Sequence, residues 1–274
     1  LRMVYEKLGV RVCPNCNQVI SSAECKEEVE KSDGNYKVFM YCNHCNCRME
    51  KLTRTHFSYN TREGACPTCG GLGKVLTINR DNTIDESLSL EDGAIRYWEN
   101  EYKKYQISIL YSSFKHYGIP INANTPVKDF SIIQKSLLYY GVESDEVKKA
   151  FPGIKPPKTV TSGRFEGVFP ILWRRLSDKG GESKQLNNYF DYDVCSNCNG
   201  ERLGELSRSV TVNNTHLPEL SLRYLVELYL WIEKLEGSLT EKNRSLVEVC
   251  LLDLKTKIKR ILKVGLGYLS LDRQ

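Results

Sequence analysis

The chain has 274 residues, 41% of them hydrophobic and 27% charged, and carries a net charge of +5. These values are ordinary for a folded globular protein and exclude a disordered or fibrous chain, and no apolar run approaches membrane-spanning length. The length suits two domains, or one domain with an insertion.

In chain order, the first strong signals are Cys13-Pro-Asn-Cys16 and Cys42-Asn-His-Cys45. Two residues between cysteines let one tight turn aim both sulfurs at a single tetrahedral ion. The polar stretch from Asn17 to Tyr41 holds Asp33-Gly34-Asn35, which predicts a turn joining two arms of a zinc ribbon. Tyr36 to Tyr41 reads as a strand leading into the second pair, and Thr53 to Tyr59 as another short strand.

The third pair lies in Cys66-Pro-Thr-Cys69-Gly-Gly-Leu-Gly73. Glycines after such a turn permit positive φ and let backbone N–H groups approach the sulfurs. The spacing is wrong for a phosphate-binding Walker loop, and Val75 stands where Ser or Thr would be needed. The fourth pair, Cys195/Cys198, comes more than a hundred residues later. If it closes a site with Cys66 and Cys69, the intervening chain is an insertion. Within that insertion, Trp98 to His116 has helical spacing, Gly118-Ile-Pro120 stops the helix, Pro152 to Pro157 is a loop, and Phe165 to Arg175 is partly buried. After the fourth pair, Leu217 to Leu235 is helical. Thr240 caps a second helix that runs to Gly265.

Eight of the eleven cysteines thus form four pairs, enough for two structural zinc ions with four thiolates each. Disulfides would need an oxidising compartment. No signal peptide or membrane span is seen, so a cytoplasmic location and no membrane partner are expected. Spacing alone leaves crossed pairings open. Of the remaining cysteines, Cys47 competes weakly as a ligand, Cys250 reads as a small core residue, and Cys25 is unassigned. No catalytic pair, nucleophile or open metal position is visible, so no catalytic residue is assigned.

These motifs resemble the UvrA family, the damage-recognition subunit of bacterial nucleotide excision repair. The resemblance is carried by Leu1-Arg-Met-Val-Tyr5 before the first pair, Phe57-Ser-Tyr-Asn60, Gly64-Ala-Cys-Pro-Thr-Cys69-Gly-Gly-Leu-Gly73, Leu88-Ser-Leu90, Gly93-Ala-Ile95, Leu137 to Gly141, Phe165-Glu-Gly-Val168, Arg174-Arg175, Tyr192, Cys195-x-x-Cys198-x-Gly200-x-Arg202-Leu203, and Val264-Gly-Leu266. It implies an α+β fold with a zinc-binding region (1–71), an inserted α/β domain (72–194), and the second half of a zinc site with a helical signature-domain portion (195–274). It pairs Cys13, Cys16, Cys42 and Cys45 in one site, and Cys66, Cys69, Cys195 and Cys198 in the other. The intact parent would be a homodimeric ABC-type ATPase of excision repair. Its ATP would bind outside this chain. The family's UvrB-binding domain normally separates the first two pairs, and Asn17 to Tyr41 is too short for it. The parent therefore resembles the class II form, for which damage or drug tolerance is as apt as excision, and UvrB is not expected to bind through that domain.

DNA is the partner the family implies. The basic excess between Asp145 and Lys184, nine basic against five acidic residues, suits a phosphate-reading surface. Lys148, Lys149, Arg164, Arg174, Arg175 and Lys179 are its candidate residues. A structural alternative makes the insertion a clamp or dimer-contact module without DNA contact. A remote one is a DnaJ-like zinc chaperone domain. Cys66-x-x-Cys69-x-Gly71-x-Gly73 fits that repeat, but Cys13/Cys16 and Cys42/Cys45 lack its glycines, and Arg202 stands where the second glycine of the fourth pair belongs.

Overall fold

The computed structural model describes residues 1–32, 35–181 and 183–272; Asp33 and Gly34 of the expected turn, and Glu182 of the basic stretch, lie outside the described residues. The chain divides into two units, Leu1–Val75 with Val194–Gln274, and Leu76–Asp193. Together they form an α+β architecture, as the sequence led us to expect.

In the first unit, helix α1 (Arg2–Leu8) precedes strands β1 (Val10–Val12), β2 (Val19–Ser21), β3 (Lys26–Ser32), β4 (Asn35–Tyr41) and β5 (Arg48–Glu50). β3 and β4 form an antiparallel hairpin in register from Lys26↔Tyr41 to Ser32↔Asn35, and β5 extends it. This hairpin fills the space between the first two cysteine pairs. Thr53 to Tyr59 is a series of turns and not a strand. His56 Nδ1 accepts from the Thr53 N–H at 3.1 Å, and Thr61 Oγ1 donates to the carbonyls of Thr55 and Ser58. Such local side-chain bonds offer the backbone an alternative to a sheet ladder.

The C-terminal part adds β8 (Thr211–Val212) and β9 (Thr215–His216), giving a four-stranded sheet in the order β2-β1-β8-β9. The expected helix over Leu217–Leu235 is two helices, α8 (Leu217–Leu222) and α9 (Leu225–Ser238), separated where Tyr224 takes an extended φ/ψ and its N–H donates to the Glu227 carboxylate at 3.0 Å. Thr240 caps α10 (Glu241–Lys263) by accepting from the Asn243 N–H at 3.3 Å. Leu228, Trp231 and Ile232 of α9 and Val247, Leu251 and Ile258 of α10 are buried with Val4 and Tyr5 of α1. At roughly 2 kcal/mol for each fully buried large apolar side chain, this shared core is the main support of the unit. Cys250, expected in the core, is half-buried instead, its Sγ 3.7 Å from Met3 Sδ.

The second unit is helical: α2 (Arg80–Thr83), α3 (Asn100–His116), α4 (Ile132–Tyr140), α5 (Asp145–Ala150) and α6 (Val168–Asp178). Among the described residues its strands are β6 (Lys74–Ile78) and β7 (Phe190–Val194), which pair with each other. The insertion thus combines five α-helices with a two-stranded ribbon among the described residues. Apolar residues at three- and four-residue spacing, such as Ile107, Leu110 and Phe114, leave only helices to build the core. Two motif glycines interlock here. A Cβ on Gly141 (φ +78) would lie 2.3 Å from the Glu166 backbone, and one on Gly167 (φ +98) would lie 2.5 Å from the Gly141 nitrogen. This close approach lets the Val142 N–H donate to the Phe165 carbonyl at 3.0 Å.

Candidate functional site

The eight paired cysteines converge in two groups, Cys13/Cys16/Cys42/Cys45 and Cys66/Cys69/Cys195/Cys198, with the four sulfurs of each group within 4.8 Å of one another. All eleven cysteines are free thiols. In the first group, Cys13–Cys45 and Cys16–Cys42 sulfurs are each 3.7 Å apart. In the second, Cys66–Cys195 is 4.0 Å and Cys69–Cys198 is 3.7 Å. A tetrahedral zinc ion with bonds of about 2.3 Å sets its sulfurs about 3.8 Å apart. The thiols therefore fit a zinc ion in both groups.

Each pair is built by the same turn. The residue after the second cysteine is Asn17, Asn46, Gly70 or Asn199, and every one has positive φ, between 48° and 59°. Its N–H donates to the carbonyl of the first cysteine at 2.7 to 3.0 Å. Asn and Gly are the residues that tolerate this left-handed conformation. The recurring Asn directly after three of the four pairs is the sequence signal of this turn.

Gly73 holds the second group together. Its N–H donates to Cys69 Sγ at 3.2 Å, and its carbonyl accepts from the Cys195 N–H at 3.0 Å. Asn197 Nδ2 donates to Thr68 Oγ1 at 2.9 Å across the two turns. In the first group, Asn15 Nδ2 donates to Cys45 Sγ at 3.5 Å and the His44 N–H to Cys42 Sγ at 3.4 Å.

These donors set the thiol acidities apart. Cys45 is held down to about 6, first by the Asn15 amide and then by the Cys47 N–H. In the second group, burial pushes Cys66 up, but the N–H groups of Cys69 and Thr68 more than offset it, leaving about 7. Burial, reinforced by neighbouring thiols, raises Cys198 to about 12. Four crowded thiols cannot all ionise without a cation, and a divalent ion removes that conflict.

Cys47 is outside both groups, its Sγ turned to the Arg48 carbonyl. Cys47→Ser is expected to leave the metal content of the protein unchanged, whereas Cys45→Ser lowers it by one ion per chain; elemental analysis distinguishes the two. His56 bonds Thr53, and His44 belongs to neither group.

The basic candidates in the insertion are less available than their sequence positions suggested. Lys148 and Arg164 converge on Glu143 at 3.1 and 3.4 Å. Arg174 pairs with Glu166 at 3.0 Å, and Arg175 stacks on Tyr102 at 4.1 Å. Lys149 and Lys179 are exposed and hold no ion pair among the described residues. A denser basic run lies outside the insertion. Lys255, Lys257, Lys259, Arg260 and Lys263 lie on α10 with no acidic residue between Asp253 and Asp272. Arg260 and Lys263 are exposed and share one face of the helix.

Fold and sites together define a class: an α+β module with two four-thiolate centres, the second closed by knuckles at either end of a helical insertion. Residues 81–187 match a family model described as UvrA DNA-binding domain. UvrABC system protein A of Vibrio cholerae is 31% identical over 252 residues, covering 89% of this chain and 26% of that protein. The Bacillus subtilis protein of the same name is 28% identical over 85% of this chain and 24% of its own length. The crystal structure of UvrA2 from Deinococcus radiodurans superposes over all of this chain and 32% of that one, with a TM-score of 0.61 and 22% identity. The chain is similar to UvrA proteins over most of its own length, and spans about a quarter of the length of the curated relatives it matches.

Proposed function

We propose that this chain is a DNA-contacting, zinc-stabilised part of a UvrA-like damage-recognition ATPase. The observation that carries the reading is the match of residues 81–187 to a UvrA DNA-binding domain. The two thiolate centres support it by supplying fixed scaffolds on either side of that segment in sequence. Cys13, Cys16, Cys42 and Cys45 would hold one zinc ion; Cys66, Cys69, Cys195 and Cys198 would hold the other. Four thiolates close the coordination shell, so the metal's role is structural. ATP hydrolysis and homodimerisation belong to the parent. The short β3–β4 hairpin between the first two pairs favours the class II form, without UvrB recruitment at that position. A cytoplasmic protein is in keeping with the lack of any helix, among the described residues, long and apolar enough to cross a membrane.

Phosphate neutralisation by lysine and arginine gives a grip that tolerates any sequence and weakens with salt. Titration of duplex DNA at low and high salt is expected to show binding whose logarithm falls linearly with the logarithm of salt concentration. Arg260→Gln with Lys263→Gln is expected to reduce that slope by about 2, near 0.9 per lost contact. Absence of binding at both salt concentrations overturns the DNA reading. It would favour the insertion as a clamp or dimer-contact module, a reading that the in-chain pairing of Lys148, Arg164 and Arg174 supports.

A further inference from the structure

We infer that a cavity in the insertion, between β7 and α6, is a binding site for a single unpaired nucleobase; the inference rests on the DNA-binding reading above. The cavity has a volume of about 590 Å³, within the range of small-molecule sites. Its floor is Leu76, Leu176 and Phe190, and its rim carries Lys184, Asn187 and Tyr192.

The strand register explains this shape. Phe190 and Tyr192 are two apart on β7 and point to the same face. Phe190 is 8% exposed and Tyr192 is 62% exposed, so that face runs from the core out to solvent. Trp173 of α6, itself 40% exposed, packs edge-on to Phe190 with ring centroids 4.9 Å apart.

The lining chemistry selects the ligand. Apolar side chains beside an exposed aromatic ring, in a cavity that is otherwise polar, accept a planar π-system by stacking, which every base offers. The Asn187 amide both donates and accepts, as a base edge requires. Lys184 supplies a cation for the adjoining phosphate. Leu176, Lys184 and Asn187 fall inside the segment that matches the DNA-binding domain. A paired base keeps both faces stacked in the duplex and cannot enter. A bulged or mismatched base is cheaper to extrude, so the site favours distorted DNA whatever its sequence.

The test uses the full chain loaded with zinc, a fully paired duplex, and the same duplex carrying one bulged 2-aminopurine. Wild type is expected to bind the bulged duplex more tightly and to quench the 2-aminopurine by stacking. Tyr192→Ala is expected to reduce the preference for the bulge about tenfold, the loss of one stacking contact, and to abolish quenching while leaving paired-duplex affinity unchanged. Tyr192→Phe restores both. Zinc content and thermal melting of each variant report folding, and Asn187→Ala, which also lines the cavity, is expected to weaken the bulge preference independently. If Tyr192→Ala and Asn187→Ala both keep the full preference and the quenching, the cavity is not a base site, although DNA binding stands. If wild type binds neither duplex, the DNA-binding reading falls, and this inference with it.

Discussion

Elemental analysis is expected to find two zinc ions per wild-type chain and one in Cys195→Ser. Cys195 is fully buried, and its sulfur lies 4.0 Å from that of Cys66. Its N–H is bound to the Gly73 carbonyl and its carbonyl to the Asn199 N–H. A serine there offers a hydroxyl that stays protonated at neutral pH and makes a poor zinc ligand. Structural zinc contributes about 10–16 kcal/mol of apparent binding free energy. Whole domains are stable by only about 5–15 kcal/mol, so an emptied second centre cannot hold its surroundings folded. Limited proteolysis of Cys195→Ser should cut near Cys66–Leu72 and Val194–Gly200, while the first centre keeps its ion. Cys16→Ser should empty the first centre instead. Two ions retained in Cys195→Ser, or none in reduced wild type, would falsify the assignment.

Gly73→Ala is expected to lower the melting temperature by roughly 5–10 °C and to weaken zinc retention at the second centre in a chelator competition. Gly73 has φ +76, and an added Cβ would lie 2.9 Å from both the Gly200 carbonyl oxygen and Arg202 Cγ. Left-handed φ costs a non-glycine residue about 1–3 kcal/mol, and relieving the overlap shifts the loop that donates to Cys69 and accepts from Cys195. At about 2–4 °C per kcal/mol for a protein of this size, the melting shift follows. Gly70 is the internal control. It also has positive φ, at +59, but nothing lies within 4 Å of an added Cβ. The other three knuckles carry Asn at the equivalent place, so Gly70→Asn is expected to change the melting temperature by less than about 2 °C. Equal losses in Gly70→Asn and Gly73→Ala would sink the argument from crowding.

The knuckles were legible because their chemistry is local: two cysteines, a turn, and a residue that accepts positive φ. Which knuckle meets which is a long-range fact, and spacing left it open until the chain was folded. The Thr53–Tyr59 segment misled because its β-branched and aromatic residues suit a strand, while His56 and Thr61 tie the backbone into turns. Cysteine burial was equally non-local: Cys250 sits within an apolar helical pattern, yet only half of it meets the core. The cations of the insertion read as free because their partners are distant in sequence or on another turn, as with Arg164 and Glu143. Arg202 shows the same limit in one residue. It stands where the repeat pattern asks for glycine and does adopt a glycine-like φ of +72. Its side chain explains the exchange: Nε donates to the Gly71 carbonyl at 2.8 Å, the guanidinium covers Tyr59 at 3.6 Å, and Nη1 reaches Asp272 at 3.4 Å. No local rule anticipates a strained backbone held for the sake of three contacts.

The neck strands β6 and β7 give the molecule a property of modularity. The segment between them leaves and rejoins the first unit through neighbouring strands, and the third and fourth knuckles fasten its two roots. A cassette mounted this way can be exchanged for another of different length without lengthening the span its ends must bridge. Replacing Leu76–Asp193 with a short turn would make the third and fourth knuckles near neighbours in sequence. The closure cost of the unfolded loop grows only logarithmically with its length, so the closure cost at the third and fourth knuckles would change little with the length of the cassette.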